Sequence, residues 1–218
     1  MNIAVVTEGK SEKYVYKGWI PFINPSLSYV DRTGLIVSNQ FSIQHSQGYP
    51  DYFDVIDGSI EDVNNHGNID RFVIVVDSED MTLQDKLSEM TGHIKTRKCS
   101  AQIFVVVQHF CLETWALANK LACLTNPKSH PFREFKGFYD VRNLDPELLP
   151  PYPPLDLNRS QFALAYLRAM LRDSYSHVSY DKRRPKVLRN KTYFNQIHAR
   201  YDKTNHISSF RFFIQAFT

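Results

Sequence analysis

The sequence has few of the residues that build disulfide frameworks and zinc sites. Its 218 residues include only three cysteines, Cys99, Cys111 and Cys123, and no two of them form a CxxC pair. An odd, widely spaced set argues against a disulfide scaffold and against a cysteine-based zinc site. We therefore expect a protein of a reducing, cytoplasmic compartment.

Long hydrophobic runs are also missing. Each apolar run meets a charge or an amide well before the roughly 18 residues that a membrane span needs. The chain opens on a strand-like apolar run over 3–6 rather than on a basic leader, so no targeting segment is expected. With 43% hydrophobic and 22% charged residues, the composition is that of a globular protein with one sizeable core, or at most two small ones, and we expect no membrane partner.

The chain has no strong net charge, but its charges are distributed unevenly. The total is +3, yet residues 176–218 hold nine Lys/Arg against two acids, or +7, and the first 175 residues sum to −4. Such asymmetry favours a polyanionic partner. The predicted phosphate contacts are Lys10, Lys182, Arg183, Arg184, Lys186, Arg189 and Lys191.

Aromatic side chains are interleaved with this basic segment. Tyr180, Tyr193 and Phe194 would stack on unpaired bases if the segment binds a single strand. The alternative is a solvated basic surface whose aromatic residues anchor it to the core. A final group is predicted to be core rather than base-stacking: Phe210, Phe212, Phe213 and Phe217.

Apolar runs and helical periodicity alternate along the first half of the chain. Short continuous apolar runs predict buried strands at 3–6, 71–76 and 103–107, and 3.6-residue periodicity predicts helices from 11, at 51–63, from 82 and at 112–123. This alternation predicts an α/β fold with a mostly parallel central sheet flanked by helices.

The composition changes after residue 124. Residues 125–158 contain seven of the eleven prolines, which predicts an extended connection, and an amphipathic helix is predicted over 160–173. We therefore predict a core over 1–125, a proline-rich connection over 126–158 and a helical, basic extension over 159–218.

Acidic residues follow three predicted strands. Glu8 follows the first, the run Asp77-Ser78-Glu79-Asp80 follows the 71–76 strand, and Glu113 lies shortly after the third. Ligands of parallel α/β sheets bind beyond the carboxyl ends of the strands, and clustered carboxylates there favour a hard divalent cation. Alternatively, these are solvated loop acids or first-turn acids favoured by a helix dipole. His109, beside them, is expected to be structural.

The same residues resemble the motifs of the TOPRIM domain. The segment Val6-Thr7-Glu8-Gly9 resembles its strand-ending glutamate motif, and Val76-Asp77-Ser78-Glu79 resembles its D-x-D motif with Glu in the second place. The segment around Glu113 and Trp115 resembles the F-E-x-W-type segment of small stand-alone TOPRIM-like proteins, the RloB-like group and the related group, OLD-nuclease-like, found beside defence ATPases.

The resemblance implies Mg²⁺- or Mn²⁺-dependent hydrolysis of phosphodiester bonds in DNA or RNA. It implies that Glu8 binds metal or moves a proton and that Asp77 and Glu79 bind metal. Asp80 has no settled counterpart in the motif, but it is adjacent to Glu79 and is the alternative ligand in its place. The resemblance further implies that Glu113 takes part and that Lys182 acts as a transition-state cation. Primase activity is not supported, because the sequence has no zinc-binding module. Topoisomerase activity is not supported, because no tyrosine can be assigned as the nucleophile.

Partners and two alternative functions follow from this interpretation. The resemblance implies a nucleic-acid substrate and, by analogy, a role in bacterial or phage defence with an ATPase partner protein. The oligomeric state, a homo-oligomer included, stays open. One alternative is a non-catalytic nucleic-acid-binding or adaptor subunit. The other is a Mg²⁺-dependent phosphatase or receiver-like protein. The phosphatase alternative is weakened because no D-x-D-x-T/V motif follows the first strand, which ends instead in Glu8.

Overall fold

The computed structural model describes residues 1–175, 180–183 and 185–218. The strands are β1 (Ile3–Thr7), β2 (Ser28–Val30), β3 (Gln40–His45), β4 (Arg71–Asp77) and β5 (Gln102–Gln108). The helices are α1 (Lys10–Ile23), α2 (Tyr52–His66), α3 (Leu83–Ile94), α4 (Leu112–Ala116), α5 (His130–Phe138), α6 (Arg159–Ser174), α7 (Lys191–Lys203) and α8 (Phe210–Phe217). Short 3₁₀ turns lie at Thr33–Leu35, Pro146–Leu148 and Pro153–Leu155.

The chain divides into two compact units. Unit 1 consists of Met1–Val76, Leu83–Val107 and Phe212–Thr218, and unit 2 consists of Asp77–Thr82 and Gln108–Arg211. Within the described ranges, none of the helices combines the length and apolar character needed to cross a bilayer.

The strands form one five-stranded, all-parallel sheet in the order β2-β3-β1-β4-β5. In unit 1, β1 is central, with Thr7 opposite His45 of β3 on one side and Val75 of β4 on the other. The predicted α/β class with a parallel sheet flanked by helices is confirmed.

Both faces of the sheet in unit 1 are covered. Alternate residues of β1 and β4, among them Val6 and Ile74, join a buried cluster with Ile56 of α2 and Met90 of α3. The intervening residues, such as Val5, are also buried. Because side chains alternate across a strand, burial on both faces produces the continuous apolar runs of the sequence.

An aromatic cluster in unit 1 joins α1 to the end of the chain. The ring of Phe213 in α8 lies 4.5 Å from Tyr16 and 6.2 Å from Trp19, centroid to centroid. Phe210, Phe213 and Phe217 are buried as predicted, whereas Phe212 is 43% exposed and the prediction of a core position for it is wrong.

Two predicted stretches differ from the structure. Helix α4 ends at Ala116 rather than near residue 123, because the Asn119 side chain accepts the backbone N–H groups of Leu121 and Ala122 and so closes a turn. The proline-rich stretch 126–158 is not extended throughout, since it contains α5; Pro131 lies in the first turn of that helix, where proline is tolerated.

Unit 2 is built from helices around its own aromatic core. Phe135 of α5 packs edge-on against Tyr152 and Phe162, and the last two rings stack at 4.7 Å. The buried Arg200 guanidinium of α7 donates to the carbonyl oxygens of Val141 and Leu144. These contacts hold the stretch 126–158 against α6 and α7.

Candidate functional site

Two polar side chains of unit 2 lie at the ends of neighbouring strands. Asp77 is the last residue of β4 and is 8% exposed, and Gln108 is the last residue of β5 and is 1% exposed. The Gln108 Nε2 group donates a short hydrogen bond to Asp77 Oδ1, and the Ser78 N–H donates to the Gln108 carbonyl at 2.9 Å. These bonds fix the Asp77 carboxylate against β5.

The chain turns sharply after Asp77. Glu79 has a φ of 51°, a left-handed conformation that costs a non-glycine residue about 1–2 kcal/mol. Its N–H donates to the Phe110 carbonyl at 3.0 Å, and its side chain is exposed. Asp80 is also exposed and accepts a 3.3 Å hydrogen bond from Asn158 Nδ2. Glu79 and Asp80 are therefore open to solvent, whereas Asp77 is buried.

Glu113 is a buried carboxylate with partners on both oxygens. It is 1% exposed and lies in the first turn of α4. The Tyr180 hydroxyl donates to Oε1 at 2.8 Å, and Lys182 Nζ lies 3.7 Å from Oε2. Tyr180 is buried, whereas the Lys182 side chain is 46% exposed, so the lysine is anchored at the cluster and open to solvent.

Cys111 is surrounded by these charged groups. Burial raises the pKa of its thiol well above the ordinary value, and the Glu113 and Asp77 carboxylates raise it further, while Lys182 opposes them. The thiol is therefore protonated at neutral pH. Its electrostatic environment places both carboxylates and the lysine in one neighbourhood, the Asp77–Glu113 cluster: Asp77, Gln108, Glu113, Tyr180 and Lys182.

His109 follows Gln108 and is partly buried beside the cluster. Its Nδ1 lies 2.8 Å from Ser78 Oγ. Burial, followed by the positive charge of Arg159, lowers the pKa of His109 to about 4. The Arg159 guanidinium lies 4.8 Å from the centroid of the Phe110 ring. A neutral imidazole and a cation of α6 thus line the loop after β5.

A buried hydroxyl supports this loop from within unit 2. Ser209 Oγ accepts hydrogen bonds from the His109 N–H at 3.3 Å and from Trp115 Nε1 at 2.8 Å. It also donates a short hydrogen bond to Glu147, whose pKa is raised by burial. The Trp115 side chain is itself fully buried.

Glu8, Gly9 and Lys10 belong to unit 1 and come directly after β1. Glu8 is half-buried, and its carbonyl accepts a 2.7 Å hydrogen bond from Ser46 Oγ. Gly9 is extended, with a φ of −137°. Glycine is needed here for space and not for a left-handed backbone, because a Cβ at this position would lie 2.6 Å from the carboxylate of the buried Glu12. Lys10 is exposed and begins α1.

The predicted phosphate contacts of the last segment are mostly on the surface of unit 2. Lys182, Arg183, Lys186 and Lys191 are exposed, and Arg189 is partly exposed. Arg184 lies outside the described residues. The Arg183 N–H donates to Asp181 Oδ1 at 2.8 Å, which closes a turn. The exposed basic side chains sit in the sequence directly after Lys182, the lysine of the Asp77–Glu113 cluster.

The aromatic residues of this segment are anchors. Tyr180, Tyr193 and Phe194 are each at most 4% exposed. The Tyr193 hydroxyl donates to the Ala116 carbonyl at 2.9 Å. Their rings are therefore occupied by the core of unit 2, and the prediction that they stack on bases is wrong for this structure.

The donor set of unit 2 suits a hard cation with few protein ligands. Within the described part of the chain, no three His, Cys, Asp or Glu side chains gather to hold a metal. Mg²⁺ is usually held by one or two carboxylates and keeps several waters. Asp77 supplies a carboxylate, and Gln108 Oε1 is a buried oxygen with no hydrogen-bond partner among the described residues. These two oxygen donors fit such an ion.

Sequence reasoning did not identify Gln108, Arg159 or Ser209 as part of this region. Gln108 had a usable signal, because it is the first polar residue after the apolar run that ends at Val107. Arg159 and Ser209 are far from the loop in sequence, and only the fold of unit 2 brings them to His109 and Phe110.

Comparisons with known proteins give no match: no protein-family model, curated protein or solved structure matches this chain.

Proposed function

We propose that the protein is a TOPRIM-like nuclease that hydrolyses phosphodiester bonds of DNA or RNA with Mg²⁺ or Mn²⁺. The observation that carries the proposal is the Asp77–Glu113 cluster, in which two buried carboxylates are held by donors beside a half-exposed lysine. Buried charges are costly unless they are paired or bind a cation. A cluster of this kind therefore suits phosphate chemistry better than it suits a purely structural core.

Each residue of the cluster has a distinct role in the proposal. Asp77 would hold the divalent ion, which on binding supplies an activated water and polarises the scissile phosphate. Glu113 orients Lys182, and Lys182 presents its ammonium to a phosphate oxygen that gains charge during the reaction. Tyr180 orients Glu113 by donating a hydrogen bond to Oε1.

Other residues are included in the proposal because of the resemblance to TOPRIM motifs. Glu8 would bind a second ion or move a proton, and Glu79, or Asp80 in its place, would complete the metal ligands from an exposed loop. The exposed side chains of Arg183, Lys186 and Lys191, with Lys10 and Arg189, would contact the phosphate backbone and supply most of the affinity. An ATPase partner that controls the target is the further expectation from the resemblance.

The test is a cleavage assay on plasmid DNA, single-stranded DNA and RNA with Mg²⁺ or Mn²⁺. The variants are Asp77→Asn and Lys182→Met, with Asp156→Asn as the control. Asp156 is an exposed residue of unit 2 in a left-handed conformation that asparagine tolerates. We expect both site variants to lose at least ~100-fold in rate, EDTA to abolish cleavage, and the control to match wild type.

Equal cleavage by wild type and both site variants, purified in the same way, would show that the activity is a contaminant. Salt-dependent binding of nucleic acid with no cleavage of any substrate would instead identify the chain as a non-catalytic binding or adaptor subunit. Either result overturns the proposal.

A further inference from the structure

Gln108 carries a buried polar atom that has no hydrogen-bond partner among the residues that the structure describes. The residue is 1% exposed, and its Oε1 makes no hydrogen bond to any described residue. The orientation of the amide is fixed by chemistry, since an ionised carboxylate only accepts hydrogen bonds and Nε2 must therefore be the atom that faces Asp77. Oε1 is thus the atom left without a donor.

Such an atom needs an explanation. Most buried polar side-chain atoms in proteins have a partner, and an exception points to a strained site, a water or an ion. Gln108 is held at both its backbone and its side chain. Its backbone carbonyl accepts the Ser78 N–H at 2.9 Å, and its Nε2 donates to Asp77. The side chain is therefore held in place, while its oxygen has no hydrogen-bond donor within the described part of the chain.

The amide geometry keeps this oxygen close to Asp77. The nitrogen and oxygen of one amide are about 2.3 Å apart, so Gln108 Oε1 lies within about 5 Å of Asp77 Oδ1. Ligands on opposite sides of an octahedral Mg²⁺ are about 4.2 Å apart, and adjacent ones are closer. One ion can therefore span the two side chains after a small adjustment.

The charges of unit 2 favour a neutral second ligand. Both oxygens of Glu113 are engaged, one by the Tyr180 hydroxyl and the other by Lys182. A cation at Asp77 that used Glu113 as well would have to displace the lysine. The amide oxygen of Gln108 is already beside Asp77, and its use as a ligand leaves the pairing of Lys182 with Glu113 intact.

We propose that Gln108 Oε1 is a direct, neutral oxygen ligand of the divalent cation that binds at Asp77. The cation is a hard one, Mg²⁺ or Mn²⁺, because both donors are oxygens. This inference deepens the proposed function and rests on it for the assignment of a cation to Asp77. It adds a ligand from β5 to the carboxylate of β4.

The test measures Mn²⁺ binding to the full chain without nucleic acid, by the loss of the free-ion electron paramagnetic resonance signal. Gln108→Met removes the oxygen and the donor, whereas Gln108→Glu keeps an oxygen, removes the donor and adds a negative charge. We expect Gln108→Met to weaken Mn²⁺ binding at least ~10-fold and Gln108→Glu to bind at least as tightly as wild type. Asp77→Asn should abolish the binding, and circular dichroism verifies that each variant is folded.

A role limited to orienting Asp77 gives a different pattern. Gln108→Glu would then bind Mn²⁺ more weakly than wild type despite its added negative charge, because the lost donor no longer holds Asp77, and this result overturns the proposal. Unchanged affinity in Gln108→Met, or no Mn²⁺ binding by wild type, also overturns it. If Gln108→Met does not fold, Gln108→Glu decides alone, since weaker binding than wild type contradicts a ligand role.

The failures of the two proposals are separable. Asp77-dependent cleavage with Mn²⁺ affinity that does not respond to Gln108→Met would leave the nuclease and remove the ligand. Gln108-dependent Mn²⁺ binding with no cleavage of any nucleic acid would leave the cation site and remove the nuclease.

Discussion

Tyr180 donates a 2.8 Å hydrogen bond to Glu113 Oε1, and both side chains are almost completely buried. Tyr180 lies two residues before Lys182, where the basic stretch begins, and Lys182 itself pairs with the other oxygen of Glu113. One carboxylate of α4 therefore anchors the start of the most basic segment of the chain.

Removing the Tyr180 hydroxyl tests this anchor. Tyr180→Phe leaves Glu113 Oε1 buried without its donor, and we expect a loss of about 1–3 kcal/mol in the free energy of unfolding, because an unsatisfied buried acceptor loses its hydrogen bond without regaining water. Urea denaturation measures the change. The control is Tyr175→Phe, at a tyrosine that is 39% exposed, where we expect a change within about 0.5 kcal/mol. Equal effects of the two substitutions would contradict the anchor.

The coupling between Lys182 and Glu113 can be measured separately. A double-mutant cycle with Lys182→Met and Glu113→Gln isolates the pairwise term in the free energy of unfolding. Because Lys182 is 46% exposed and the ions are 3.7 Å apart, solvent weakens the attraction, and we expect a coupling energy of only about 0.5–1 kcal/mol. Strictly additive effects would show that the lysine does not pair with Glu113 in solution.

The fold could be predicted where burial determined the residue types. The run ending at Val76 is continuous and apolar because β4 is covered on both faces, and that pattern has few other structural solutions. The end of α4 could not be predicted in this way. Apolar residues continue to Cys123, and it is the side chain of Asn119 that ends the helical pattern by bonding its own neighbours.

The parts of the site that could be predicted are the residues that directly follow a recognisable strand. The position of Asp77 at the end of β4 is predictable, because the acid directly follows a continuous apolar run in the sequence. The partners of Glu113 were not predictable, since Tyr180 and Lys182 are brought to it by contacts across more than 60 residues. The proximity of Gln108 to Asp77 follows from the order of strands, which periodicity does not specify.

The buried Ser209 hydroxyl is expected to be a stability determinant of unit 2. Ser209→Ala removes the acceptor of Trp115 Nε1 and a donor to Glu147, so we expect a loss of about 2–3 kcal/mol in the free energy of unfolding. The adjacent Ser208 is exposed and also donates to Glu147, at 3.0 Å, which makes Ser208→Ala a matched control with an expected loss below about 1 kcal/mol. A larger effect at Ser208, measured by urea denaturation, would contradict this assignment.

Mild acid should lower the stability of unit 2 through the protonation of His206. Its Nδ1 lies 2.9 Å from Nη2 of Arg200, and burial, followed by the Arg200 charge, lowers the pKa of His206. Below the ordinary histidine pKa of about 6.5, the unfolded chain takes up the proton before the folded one does. The free energy of unfolding therefore falls as the pH decreases from about 6.5 toward the lower folded-state value.

The measurement is urea denaturation between about pH 7 and about pH 5. His206→Gln has no titrating group at this position, so its stability should decrease less steeply with acid than that of wild type. His130→Gln, at a histidine whose side chain is 74% exposed, should follow wild type. If His206→Gln followed wild type as well, the acid sensitivity would belong to another group.

The basic segment after Tyr180 is expected to supply phosphate contacts without sequence preference. Arg183 and Lys186 are exposed, and reversing both charges with Arg183→Glu and Lys186→Glu should weaken binding to every sequence alike. Each lost contact to duplex DNA lowers the slope of log affinity against log salt by about 0.9, so the double variant should lose close to two units of slope. Fluorescence anisotropy with labelled duplex and single-stranded probes, in the Asp77→Asn background to protect the probes, measures both quantities.

The control for net charge is the double variant Lys95→Glu with Lys98→Glu, at two exposed lysines of unit 1. It makes the same change in net charge and should leave the slope nearly unchanged. If the two double variants lower the slope equally, binding follows the net charge of the whole chain, and the segment after Tyr180 is an ordinary solvated surface.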